Sequence, residues 1–186
     1  MSVLNDPVLI LNKNWTAIKV RNVKTAIRIA SRERAVLIDH NTYDLYKWEE
    51  WVQLGSADDY RYIQCVNSVV RAPRVILLTK YGKVPENDIR LTKKNIFFRD
   101  GFRCQYTGEV LDKNDADIDH VIPKAQGGKN SWGNLVVSSK KINRKKGDRT
   151  PQEAGLKLLK QPKKPDYKSI IFDPRKKIPA CWEKFI

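Results

Sequence analysis

The sequence predicts an α+β protein: a small N-terminal α+β unit, then a ββα unit, then a basic C-terminal extension. Three observations predict this. Residues 1–80 mix short apolar runs of strand length with one segment of helical period. A polar stretch carrying Gly82 and Pro85 separates them from the rest of the chain. Beyond it, a β-run, a Gly-Gly loop, a second β-run and a short basic helix succeed one another in strict order. The expected divisions are residues 1–80, 81–160 and 161–186.

Taken in order, Val8–Leu11 is a short buried strand, and Trp15–Val20 a second that pairs with it as a hairpin. Asn22 caps a helix over Asn22–Ala30, where Val23, Ala26, Ile27 and Ala30 recur at helical spacing. Ala35–Ile38 is a strand. Leu45–Leu54 gives no clear period. Ser68–Val70 and Arg74–Leu78 are β-rich runs split by Pro73. Tyr81–Asp88 is a linker. Leu91–Asp100 is a helix with Ile96 and Phe97 facing a core. Ile118–Val121 and Leu135–Val137 are strands flanking the loop Pro123–Gly133. Ser139–Lys146 is a helix with a Ser cap and Gly147 after its end. Thr150-Pro-Gln-Glu153 has the residues of a helix start. Residues 161–186, with four Pro and many Lys, form an extended tail packed through Ile170–Phe172 and Trp182.

Composition narrows the class. The chain has 186 residues and is 41% hydrophobic and 31% charged, which suits a globular core rather than disorder. No apolar run approaches the roughly 20 residues that span a bilayer, and Met1–Asp6 lacks a secretory pattern. Membrane association is therefore not expected. Cys65, Cys104 and Cys181 are too few and too scattered for a disulfide framework, which points to a reducing cytoplasm. The formal net charge is +15. Residues 1–80 hold 12 basic and 8 acidic side chains, residues 81–186 hold 24 and 13. A basic excess concentrated in one half implies a polyphosphate partner there, meaning nucleic acid.

The chemistry is concentrated at Asp119-His120, Asn134 and Asn143. Phosphodiester cleavage needs a hard cation beside the phosphate and a base for the attacking water. Asp119 offers an anionic oxygen and Asn143 a neutral one to such an ion. His120 suits the base near neutral pH. Neighbours on a strand point to opposite sides, so Asp119 and His120 can serve separate tasks. Asn134 can bond across the loop and orient the His ring.

These residues resemble a family. Asp119-His-Val-Ile-Pro-Lys-Ala-Gln-Gly-Gly128, Trp132-Gly-Asn134-Leu135 and Asn143-Arg-Lys-Lys-Gly147 are similar to the HNH endonucleases, and Phe97–Tyr106 is similar to the segment preceding their site. The likeness covers about residues 90–160. It implies a ββα-metal fold and metal-dependent hydrolysis of DNA in the bacterial cytoplasm, or a host's if phage-encoded. It implies His120 as general base, Asn134 as the central Asn, and Asp119 and Asn143 as metal ligands. One divalent ion is expected, Mg2+ or Mn2+, because both ligands are hard oxygens. The family's paired Cys-x-x-Cys positions here hold Cys104, Thr107, Ser139 and Ile142. One thiol does not make a tetrahedral site, so no structural zinc is expected. Ile142, Leu135, Tyr106 and Phe102 would pack in its place.

Lys140, Lys141, Arg144, Lys145, Lys146 and Arg149 put six cations within ten positions. A charge run is ordinarily a solvated face. Beside Asn143 it is expected to meet phosphate, with Arg99 and Arg103 as further candidates, in contacts that position DNA without reading sequence. Asp39-His40-Asn41 looks like a structural turn, Cys104 a zinc-site remnant, and the Trp residues at 15, 48, 51 and 182 core. One site cuts one strand, so double-strand breaks would need a homodimer or sequential attack. The rival reading is a catalytically silent DNA-binding protein with an HNH-like fold.

Overall fold

The structure, a computed structural model, describes residues 2–84 and 89–186. The expected linker therefore lies partly outside the described residues. The chain divides into two compact units, Met1–Pro85 with Ile178–Ile186, and Glu86–Lys177. The tail expected as one segment from 161 is thus split between them. The returning end is held in the first unit by Trp182, 3% exposed, whose indole Nε1–H donates to the Arg74 carbonyl at 2.9 Å.

In the first unit, β1 (Pro7–Leu11) pairs antiparallel with β2 (Ala17–Asn22). The Asn22 side chain accepts from the Thr25 amide at 3.0 Å and starts α1 (Val23–Ala30). Next come β3 (Ala35–Ile38), β4 (Leu45–Tyr46), the single turn α2 (Trp48–Trp51), the hairpin β5 (Tyr62–Gln64) and β6 (Val69–Arg71), and β7 (Val75–Leu78). One sheet has the order β2-β1-β7-β3-β4, with β1 and β7 parallel and the other pairs antiparallel. Val8, Leu9, Leu11, Leu37, Ile38, Val75 and Ile76 are fully buried in it. The strand expected from Trp15 begins at Ala17 instead, because Trp15 turns the chain at φ 62°.

In the second unit the Thr92 hydroxyl accepts from the Asn95 amide and opens α3 (Lys93–Arg99). The strands β8 (Ala116–His120) and β9 (Leu135–Ser139) pair antiparallel from Ala116↔Ser139 to His120↔Leu135. Ser139 then caps α4 (Lys140–Lys146), accepting from the Ile142 amide, so the second strand runs straight into the helix. This is the ββα unit, and the fold is α+β. A short α5 (Lys168–Ile171) packs against α3. Phe102, Cys104, Tyr106 and Leu135 share one apolar cluster, with Ile142 packed against it. Of the four positions aligned with zinc cysteines, Cys104 and Ile142 join this cluster, Ser139 caps α4 and Thr107 is exposed.

The expected helix at Thr150 does not propagate. Its cap bonds form, with the Glu153 carboxylate accepting from the Thr150 amide and the Thr150 hydroxyl from the Glu153 amide. Gly155, in the left-handed region at φ 64°, then turns the chain away after one loop of turns. Among the described residues, no helix is long and apolar enough to cross a membrane.

Candidate functional site

The site is built on β8 and the helix after β9. Asp119 is 4% exposed. The Lys146 ammonium donates to its Oδ1 at 3.0 Å, and the Tyr106 hydroxyl donates to its Oδ2. Burial, then the bond to Asp119, pushes the Tyr106 phenol far above its ordinary range, so it stays protonated and acts as a donor. Lys146, 1% exposed, also donates to the His120 carbonyl at 2.8 Å. One ammonium therefore fixes both the carboxylate and the backbone of the next residue.

His120 is half-buried, and its Nε2 lies 2.7 Å from Asn130 Oδ1. If Nε2–H donates to that oxygen, Nδ1 is left to accept. Asn134 does not touch the ring. Its Oδ1 accepts from the Ile122 amide at 2.8 Å, and its Nδ2 donates to the carbonyls of Ile122 and Lys129, both at 3.0 Å. It thus staples the loop that carries Asn130. Gly128 is required there because a Cβ would meet the Ile122 carbonyl oxygen at 1.7 Å. The cross-loop bonds expected of Asn134 are present, while the contact to the imidazole itself is made by Asn130.

Asn143 is half-buried on α4, which packs on both β8 and β9. Its side-chain amide has no hydrogen bond among the described residues. Each carboxylate oxygen of Asp119 retains a lone pair beyond the bond it accepts. Among the described residues, no three His, Cys, Asp or Glu side chains gather around a metal position. The two expected ligands, Asp119 and Asn143, would offer one carboxylate and one amide carbonyl. That fits a hard divalent ion that keeps most of its water, and it does not fit zinc.

The expected phosphate contacts separate into two groups. Lys140, Lys141, Arg144 and Lys145 are exposed. Arg103 and Arg149 are also exposed but hold carbonyls, Arg103 that of Gly108 and Arg149 those of Lys145 and Lys146. Lys146 and Arg99 are not surface cations. The Arg99 side chain, 9% exposed, pairs with Asp100 at 2.7 Å and donates to the carbonyls of Trp132 and Leu135. Both were expected on phosphate, and both instead hold the site together, because each has a buried acceptor cluster within reach. Tyr106, Asn130 and the structural use of Lys146 were missed from the sequence. Only Lys146 left a signal, since it stands three residues after Asn143 and so on the same helix face.

Comparison with known proteins defines the class. Residues 104–152 match the HNH endonuclease family, and residues 8–86 match the HNH endonuclease-associated N-terminal domain. The chain thus carries an HNH endonuclease domain, preceded by the N-terminal domain associated with such nucleases. Among individual proteins it is 21% identical over 168 residues to the CRISPR-associated endonuclease Cas9 1 of Streptococcus thermophilus, covering 80% of this chain and 15% of that protein. It is 33% identical over 86 residues to the CRISPR-associated endonuclease Cas9 of Streptococcus mutans serotype c, covering 45% of this chain and 6% of that protein. The chain spans less than a sixth of either relative.

Proposed function

We propose that this chain is a divalent-metal-dependent endonuclease that hydrolyses DNA phosphodiester bonds. The observation that carries the proposal is the Asp119-His120 pair. Its carboxylate is fixed by Lys146 and Tyr106, and its imidazole is fixed through Nε2. In this reading His120 Nδ1 takes the proton from the attacking water. Asn130 holds the ring in the tautomer that can do so, and Asn134 holds the loop that supplies Asn130. Asp119 and Asn143 hold the ion, Mg2+ or Mn2+ in preference to zinc or nickel. When bound, the ion supplies Lewis-acid stabilisation of charge on the phosphate oxygens. Lys141, Arg144 and Lys145 take the DNA backbone, sharing a helix face at spacings of three and four. Three free cysteines suit a reducing compartment such as the cytoplasm.

One observation favours the rival, a silent DNA-binding module. Lys146 already neutralises Asp119 without any metal. Incubation with supercoiled plasmid separates the two. Nicking with Mg2+ that stops with EDTA is the expected result. Binding without nicking, at any Mg2+ or Mn2+ concentration, would establish the silent module.

A further inference from the structure

The first unit contains a cavity of about 640 Å3, within the size range of small-ligand sites. Its wall includes His40, Tyr43, Asp59, Arg74, Cys181 and Lys184. Two long cations against one carboxylate make it a place for an anion. His40 Nδ1 is buried and has no hydrogen-bond partner among the described residues. Burial, with Arg74 beside it, lowers that ring's pKa.

An aromatic shelf continues from the cavity wall. Phe185 packs on Tyr43 at 5.7 Å between ring centroids and stacks on Trp15 at 6.2 Å with planes 11° apart. Lys184 Nζ lies 5.0 Å from the Tyr43 ring centroid. Trp15 is 43% exposed, so with one face on Phe185 the other faces solvent. The expectation that Trp15 is core is corrected. Trp15 and Tyr43 also hold φ angles of 62° and 66°. Bulky residues rarely adopt that left-handed region, and such strain concentrates where side chains are aimed at a ligand.

We infer that the first unit binds single-stranded DNA, with a phosphate between Arg74 and Lys184 and an unpaired base stacked on the open face of Trp15. Duplex DNA keeps its bases stacked on one another and cannot use the open indole face. The inference takes DNA as the polymer from the nuclease reading, and adds a strand form and a second contact region.

The test uses the full chain in EDTA, so that nothing is cut. Anisotropy is read with a fluorescent oligothymidylate of about 12 nucleotides, within the usual span of such sites, and with a duplex of equal length. Trp15→Ala is expected to weaken single-strand binding about tenfold or more and duplex binding by less than twofold. Arg74→Gln with Lys184→Gln is expected to lower the single-strand salt slope by about 0.7, the share of the one phosphate they hold. Should Arg74→Gln fail to fold, Lys184→Gln alone, at an exposed side chain, is expected to lower it by up to about 0.7. Photocrosslinking of a 5-iododeoxyuridine oligonucleotide is expected to label Trp15. Wild-type single-strand affinity in Trp15→Ala, equal loss on both DNA forms, or labelling confined to residues 86–177 would overturn the inference. Plasmid nicking is read separately. A wild-type chain that binds single strands through Trp15 but never nicks defeats only the nuclease reading. One that nicks but shows no Trp15-dependent binding defeats only this inference.

Discussion

The two units differ in where their buried charge sits: the first pairs Asp39 with Arg71, away from the residues proposed for catalysis. The first buries a five-stranded sheet of Val, Leu and Ile side chains and a returning Trp. The second has only two strands in its sheet, and beside its apolar cluster it buries Asp119, Lys146, Asn134 and the Arg99-Asp100 pair. A hydrocarbon core tolerates exchange of similar volumes. A buried ion pair does not tolerate loss of one partner, because the other charge is left without solvent or counter-ion. In the second unit, therefore, the groups that would do chemistry also hold the structure.

The sharpest test of this difference pairs Asp119→Ala with Ile76→Ala. Asp119→Ala should abolish cleavage and, by stranding Lys146, destabilise the second unit by about 3–5 kcal/mol. Ile76→Ala should cost about 2–5 kcal/mol in the first unit and leave the chemical step intact wherever the protein stays folded. Denaturant titration with single-turnover cleavage on the same samples checks both. Wild-type stability in Asp119→Ala would mean that the pair with Lys146 contributes nothing.

Two lysines on one helix sharpen the comparison. Lys146→Gln strands Asp119 and should cost about 3 kcal/mol or more. Lys145→Gln, at an exposed position, should stay within about 0.5 kcal/mol. DNA affinity should order them the other way among folded samples, with Lys145→Gln the weaker binder. Melting temperature and filter binding read the two orders, and identical behaviour would remove the distinction.

The smallest expected effect is on affinity. Replacing Lys141, Arg144 and Lys145 together with Gln should weaken binding to every duplex sequence alike. The salt slope should fall by up to about 2.7 if all three meet phosphate. A sequence-dependent loss, or an unchanged slope, would show that this face does not lie on the backbone.

Legibility in the sequence divides along the same line. Elements long enough to show a period, such as α1 and α3, stood out, as did the caps Asn22 and Ser139. Elements of two to four residues, such as β4, α2 and β5, carry no period to detect. The Thr150–Glu153 cap chemistry was real, but a cap starts a helix only where the next residues continue it, and Gly155 does not. Asp119, His120, Asn134 and Asn143 were legible through their ordered spacing. The partners that position them were not, because Tyr106 and Asn130 approach only through the fold. The charge run of α4 appeared uniform although residues 142, 143 and 146 share its inward face. Arg99 looked like a surface cation because sequence does not reveal which carbonyls a guanidinium can reach.

The central claim is that His120 acts on water while neighbouring cations hold the DNA. The direct measurement is the single-turnover cleavage rate of His120→Ala on a duplex with Mg2+, with DNA affinity read on the same sample. The account predicts a rate lower by about 10²–10⁴ and affinity within about twofold. A His120→Ala rate near that of the wild type would contradict it.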